Sequence, residues 1–219
     1  MKNLLLIIFL LGNTIFADIQ NKPAKTMSVK EKKKRFYSIV VPEVDKVYER
    51  RAKVYLEIKN DLNNSVDNVK IDELKTFYKI KTDEELLMAL KPIPKSIAIA
   101  QAAMESAWGT SRFFKEGNNL YGMWSIHKKD KKIAASKTRD NNVTVWIKQY
   151  NSLEDSVRGY YITLAKGKQY KRLRELNYIS DDVYEIAKGL DKYSEKRELY
   201  VEEIKSIIRY NKLTKYDAK

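Results

Sequence analysis

Three features of the 219-residue sequence predict a mainly α protein of the α+β class, a helical body carrying a small β lobe. Apolar residues recur at helical spacing along most of the chain. Serine, threonine and proline stand where helices would open, and the stretch from Asn118 to Gln149 changes to asparagine turns and β-branched residues. With only 7 Gly and 4 Pro, and with 43% hydrophobic against 33% charged residues, the composition is that of a folded chain with a real core. One domain is expected at this length.

The elements follow in order. MKNLLLIIFLLGNTIFA places Lys2 before an apolar run from Leu4 to Leu11 and ends in Ala17, which predicts a signal peptide over 1–17. Asn13 and Thr14 cut that run short of the roughly 20 apolar residues a membrane anchor needs. Export to the periplasm is therefore expected. Residues 18–35 are expected to be a solvated basic linker, with Lys30, Lys32, Lys33, Lys34 and Arg35 able to hold the protein near an anionic wall or membrane surface. The domain is then expected over 36–214. A first amphipathic helix is predicted from near Pro42, with Val44, Val47, Tyr48, Val54, Tyr55 and Ile58 on its apolar face, until Asn63, Asn64 and Ser65 break it. IDELKTFYKI predicts a second, short helix. Thr82 with Glu85 reads as a capping box opening TDEELLMAL, and Pro92 and Pro94 separate that helix from one running over Ala98–Trp108. VTVWI predicts strand. Ser152 is expected to cap a helix carrying Val157, Tyr160, Tyr161 and Leu164. Ser180 is expected to cap DDVYEIAKGL, and Ser194 a last helix whose stripe is Tyr200, Ile204, Ile207 and Ile208.

Composition also excludes. The absence of cysteine removes disulfides and thiol catalysis, and with His127 the only histidine no zinc site is expected; no cofactor is implied. The formal net charge of +14 would suggest nucleic acid in a cytoplasmic protein. In an exported one the available polyanions are wall carboxylates and lipid phosphates, and the chain has no concentrated basic recognition helix, so nucleic acid is not an expected partner. A monomer is expected.

The chemistry centres on AIAQAAMESAWGTSRF, Ala98–Phe113. On a helix, Ile97, Ala100, Met104 and Ala107 share a core face, while Ala98, Gln101, Ala102, Glu105 and Trp108 share the neighbouring one. Small residues leave room beside the carboxylate. The negative end of the helix and burial against Trp108 would both raise the pKa of Glu105, which suits a general acid that protonates a leaving glycosidic oxygen. A solvated glutamate near a helix end is the competing reading. In GTSRFFKEGNNLYGMW, Gly117 and Gly122 flank an asparagine-rich turn into a short strand, and Asn118, Asn119, Tyr121 and Trp124 supply the amides and aromatic faces that hold sugars. A plain asparagine turn is the alternative there.

QAAMESAWGTSRFFKEGNNLYG resembles the catalytic helix and following loop of Bax-type glucosaminidases, relatives of the FlgJ-type peptidoglycan hydrolases. The likeness extends through KRFYSIVVPEVDKVYERRAKVYL, IPKSIAIAQ, YNSLEDSVRGYY, KQYKRLRE and LDKYSEKRELYVEEIKSIIRYNKL, nearly the whole chain after the leader. It implies a lysozyme-like helical body with additional N- and C-terminal helices. It also implies hydrolysis of the β-1,4 bond from N-acetylglucosamine to N-acetylmuramic acid in peptidoglycan glycan strands. Glu105 matches the catalytic acid of the family. Tyr160 falls at its active-site tyrosine, with Tyr161 leaving the register open by one. Asn119 and Tyr121 match its cleft loop, and Gln101, Trp108, Gly122, Trp124 and Tyr161 complete the expected substrate contacts.

The chain departs from the pattern in the β lobe, where Asp130 and Asp140 are the only carboxylates between Gly122 and Tyr150. Asp140 is the candidate for positioning water, a solvated turn in TRDNN being the competing reading, and attack by the substrate's own acetamido group is the other route. A wall-binding protein of the same fold that has lost turnover is the alternative function.

Overall fold

The computed structural model describes residues 26–66, 68–135 and 144–218. The expected signal peptide over 1–17, the first part of the expected linker and Asp140 lie outside them.

The first helix, α1 (Val29–Asn63), starts earlier than the sequence reading placed it. A capping box opens it: the Glu31 amide donates to Ser28 Oγ at 3.3 Å and the Ser28 amide donates to Glu31 Oε2 at 2.7 Å. These contacts satisfy two amides that a helix start leaves unpaired. Two expectations are corrected by this. The cluster from Lys30 to Arg35 lies on the first turns of a helix and not in a linker, and Pro42 lies inside α1 instead of opening it. Pro42 has no N–H to give the Ser38 carbonyl, one missing bond that a helix of 35 residues packed along the body absorbs.

Helices α2 (Val69–Tyr78) and α3 (Asp83–Leu90) form a hairpin against the second half of α1, and Thr82 caps α3 by accepting from the Glu85 amide at 3.2 Å. Ile58, Ile71, Leu86, Leu90 and Ala165 make a small second core there. The main core surrounds α4 (Lys95–Glu105), in which every residue from Ser96 to Ala103 is buried. A helix apolar all round is a central helix. α1 and α9 (Glu198–Tyr210) pack on it, and α6 (Leu153–Lys166), packed on α1, reaches it through Tyr160 and Gln101; Val40, Val44, Val157, Tyr160, Val201 and Ile204 are fully buried.

Between α4 and α6 the chain forms α5 (Arg112–Gly117) and a two-stranded antiparallel sheet, β1 (Lys132–Ala134) with β2 (Trp146–Lys148), in which Ile133 pairs with Ile147. After α6 come a 3₁₀ turn (Lys168–Tyr170), α7 (Lys171–Ile179), α8 (Val183–Ala187), a second 3₁₀ turn (Lys188–Leu190) and, beyond α9, a last 3₁₀ turn (Leu213–Tyr216). Two caps are corrected. Asp182 caps α8 by accepting from the Tyr184 amide, while Ser180 ends α7; α9 starts at Glu198 with no side-chain cap, and Ser194 sits in the preceding turn. The mainly α, α+β class with a small β lobe stands as expected. Among the described residues no helix is long and apolar enough to cross a membrane.

Candidate active site

Helix α4 ends at Glu105, three residues before the expected stop at Trp108. Ala107, Trp108 and Gly109 then take left-handed φ values of 50°, 57° and 72°. Two such residues with side chains cost about 1 kcal/mol or more each and need a surrounding structure that imposes them. Ser106 does so. Fully buried, it donates from Oγ to the Ala102 carbonyl and accepts from the Gly109 amide at 2.9 Å, and its carbonyl accepts from the Ser111 amide at 2.9 Å. The turn swings Trp108 away from Glu105 and onto α1, where its ring meets Phe36 and Tyr37 edge to face at 5.4 and 5.8 Å and Lys33 Nζ stands over it at 4.6 Å. The expected place of Trp108 against Glu105 is corrected to this extent: helix α4 ends before it, and its described ring contacts are with α1.

Other groups surround the carboxylate. Tyr200, on α9, donates its hydroxyl to Glu105 Oε1 at 2.9 Å. Gly122 lies on the other side; a Cβ built there would stand 3.4 Å from Glu105 Oε2, and its φ of +63° is one that glycine adopts freely. Burial raises the pKa of Glu105 above its ordinary 4.5, with the Tyr200 hydrogen bond and the Lys196 charge pulling down and Glu203 pushing up. The negative end of α4, where Glu105 is the last residue, acts in the raising direction. One oxygen is thus held by a donor while the other faces a position without a side chain.

Gln101 sits one turn before Glu105 and is fully buried. Its Nε2 donates to Tyr200 Oη at 2.9 Å, and its Oε1 accepts from Tyr160 Oη. A buried chain therefore runs Tyr160, Gln101, Tyr200, Glu105. Because Tyr160 donates to Oε1, the amide of Gln101 is oriented with its N–H toward Tyr200. The single hydroxyl proton of Tyr200 is then left for Glu105. Tyr160 also stacks on Tyr121 with centroids 3.9 Å apart, and Tyr200 stacks on Tyr193 at 5.4 Å.

Several expected contacts are corrected by burial. Gln101, Tyr160, Tyr121, Asn119 and Tyr161 are at most 2% exposed and cannot touch a sugar in this structure. Tyr160 and Gln101 act on Glu105 through Tyr200. Of the two adjacent tyrosines of α6, Tyr160 joins this network, while Tyr161 points toward the Ile93 carbonyl and Arg51. Tyr121 backs Tyr160, its hydroxyl buried without a hydrogen-bond partner among the described residues. Asn119 pins the loop: Oδ1 accepts from the Tyr121 and Met123 amides at 3.3 and 3.0 Å, and Nδ2 donates to the carbonyls of Met123 and Lys148 at 3.0 and 2.7 Å. Asn119→Ala strands these groups, each costing about 1–3 kcal/mol when buried unpaired, and is expected to lower stability by about 3 kcal/mol in urea unfolding.

A groove of about 890 Å³ separates the β lobe from α6, with Met123, Trp124, Asp130, Lys148, Tyr150 and Arg158 in its walls. It reaches Met123, next to Gly122, and Lys168, two residues before Tyr170; Glu105 is not among its lining residues. Trp124 is 54% exposed on its lip. Asp130 is the described β-lobe carboxylate. Burial pushes its pKa up, but a 3.2 Å ion pair with Lys148 and a hydrogen bond from Ser125 outweigh it and hold the group below its usual value. Asp140 lies outside the described residues. No cluster of metal-ligating side chains occurs among the described residues.

Reading the sequence missed Tyr200 and Ser106. A tyrosine on the otherwise aliphatic stripe of α9 was the available signal, since a buried phenol needs a hydrogen-bond partner. Ser106 carried none.

The family sequence model described as mannosyl-glycoprotein endo-beta-N-acetylglucosaminidase matches residues 84–213, and the chain belongs to this glucosaminidase family. Among curated proteins it is similar to protein bax of Escherichia coli (strain K12), 32% identical over 93 residues that cover 41% of this chain and 30% of that protein. The chain thus matches less than a third of that relative's length. Among solved structures it is similar to the catalytic domain of the autolysin Auto from Listeria monocytogenes, with a TM-score of 0.49, 20% identity, and coverage of 74% of this chain and 97% of that one. The C-terminally truncated glycoside hydrolase domain of Salmonella typhimurium FlgJ gives a TM-score of 0.44, 19% identity, and coverage of 63% and 97%.

Proposed function

We propose that this protein is a glycoside hydrolase of peptidoglycan, cleaving the β-1,4 bond between N-acetylglucosamine and N-acetylmuramic acid with Glu105 as general acid. The observation that carries the reading is the carboxyl itself: buried at the end of α4, raised in pKa, with Oε1 held by Tyr200 and Oε2 beside Gly122. Such a group keeps a proton at higher pH than a surface glutamate and can pass it to a leaving oxygen. Family membership and the adjoining groove support the substrate class.

In this reading Oε2 carries the transferred proton. As the glycosidic bond breaks, the carboxylate that forms is stabilised by the Tyr200 hydroxyl on Oε1 and by the Lys196 charge. Attack on the anomeric carbon comes from water or from the acetamido oxygen of the substrate. Asp130 and Asp155 are the described carboxylates of the groove wall, and in this reading Asp130, held ionised by Lys148, is the one that serves a water.

The test is digestion of purified sacculi by wild type and Glu105→Gln, with the new reducing ends identified. N-acetylglucosamine ends released only by wild type support the proposal. Sedimentation of the protein with sacculi without any release supports a wall-binding protein instead.

The network makes a separate prediction. Tyr200→Phe removes a donor that stabilises the ionised carboxylate, so the pKa of Glu105 rises further. The alkaline limb of the rate profile, where a general acid is lost, is expected to move to higher pH. Tyr160→Phe, far from any solvent, is expected to alter the same limb through Gln101. A profile unchanged by both would refute the relay.

A further inference from the structure

Beside the groove lies a second pocket, of about 340 Å³, that the chemistry above does not use. Its charged lining is Lys79, Lys166, Lys168, Lys171 and Arg174 against a single anion, Glu85. Not all of these cations are free. Arg174 donates at 2.8 Å to the carbonyls of Leu164 and Gly167 and so closes the end of α6; Lys171 stands 3.6 Å from Glu175; Lys166 lies over the ring of Phe77 at 4.0 Å. Lys79 and Lys168, both exposed, make no ion pair among the described residues. Like charges gathered around one concavity repel, and a bound anion would relieve that cost.

Position narrows the kind of anion. Tyr78, Lys79, Lys166 and Lys168 line both this pocket and the groove, so the two are continuous. A polymer lying in the groove would deliver a side branch here. The floor includes Ile80 and Met88, apolar surface that suits the aliphatic parts of a short peptide better than a bare phosphate. One wall, Tyr78 to Ile80, comes from the end of α2, ahead of residues 84–213 matched to the family. The pocket is therefore built jointly by the helical hairpin and the family domain.

We propose that this pocket binds the acidic peptide stem attached to the muramic acid of a strand lying in the groove, its lysines pairing with the stem carboxylates. The proposal rests on the glycan-strand reading of the groove.

The test measures binding of a free tetrapeptide stem to the whole protein by calorimetry at low salt, comparing wild type with the Lys168→Gln/Lys171→Gln double variant. Two exposed ion pairs predict that the variant binds about fivefold more weakly. A stem with its carboxylates amidated should weaken comparably, and binding should fall with salt as screening shortens to about 8 Å. No stem binding by wild type, or binding indifferent to both the lysines and amidation, overturns the proposal. Loss confined to phosphatidylglycerol vesicles, with the stem unaffected, overturns it in favour of a surface-binding role. On strands, the ratio of initial rates for peptide-bearing over amidase-stripped substrate should fall in the double variant. Since stem binding needs no bond cleavage, a wild type that binds the stem but releases no ends defeats the hydrolase reading alone.

Discussion

Glu105→Gln is expected to lower turnover of sacculi by about 10³-fold, the typical contribution of a positioned general acid, while the protein still folds and still sediments with the wall. Glutamine keeps the shape of the side chain and can still accept from Tyr200, so the hydrogen bond at Oε1 has a successor; only the transferable proton is gone. The same variant makes a stability prediction of opposite sign. Burial raises the folded pKa of Glu105 above its ordinary value. At low pH the group is protonated in both folded and unfolded chains and costs nothing. As pH rises from the ordinary carboxylate range through the raised folded pKa, the folded chain must ionise a poorly hydrated group, and stability is lost. Wild type should therefore weaken between acid and neutral pH more than Glu105→Gln does, and the variant should melt higher near pH 7. Thermal unfolding of both proteins at pH 4 and pH 7 measures this. A variant that melts lower at both values would mean that the carboxylate is a structural group and not one held at a cost for chemistry.

Gly189→Ala is expected to be the most damaging single methyl in the chain, lowering stability by about 3 kcal/mol. Gly189 belongs to the 3₁₀ turn that crosses α7, and a Cβ there would stand 2.3 Å from Leu173 Cα, 2.7 Å from its amide nitrogen and 2.8 Å from its Cβ. The obstruction is mostly backbone, which cannot rotate aside, and Leu173 is fully buried beneath it. By contrast an added methyl at Gly117 meets the far end of the Ile133 side chain, which can turn away. The urea midpoints of the two alanine variants give the comparison. Equal losses would show that the crossing yields more than close packing allows.

How far the sequence could be read depended on the range of the forces involved. Element positions followed from local signals: Thr82, Ser111 and Ser152 each accept from an amide three residues on, contacts that short spacing alone defines. The wrong start of α1 had the same local origin. Pro42 carries the signal of a helix opener, whereas Ser28 with Glu31, the better-formed signal, lies beside a basic run that has the composition of a linker. Trp108 failed for a different reason. Its place beside Glu105 assumed a continuous helix, and the helix is ended by the buried hydrogen bonds of Ser106. Asn119 and Tyr121 carried types suited to sugars, yet burial decides whether such groups face a ligand or their own backbone, and burial is not local.

The amino-acid order by itself determined most of the helices, the caps at Thr82 and Ser152, the β-lobe interruption, the family motif and the carboxylate at Glu105, because each rests on residues within a few positions of one another. Only the tertiary structure decided what that carboxylate touches. Tyr200 lies 95 residues away on α9 and Tyr160 lies 55 away on α6, and their hydroxyls meet around Gln101 solely because α4 is enclosed by both helices. Burial and hydrogen-bond direction are properties of that enclosure, so the acidity of the group was settled by packing and not by its neighbours in sequence.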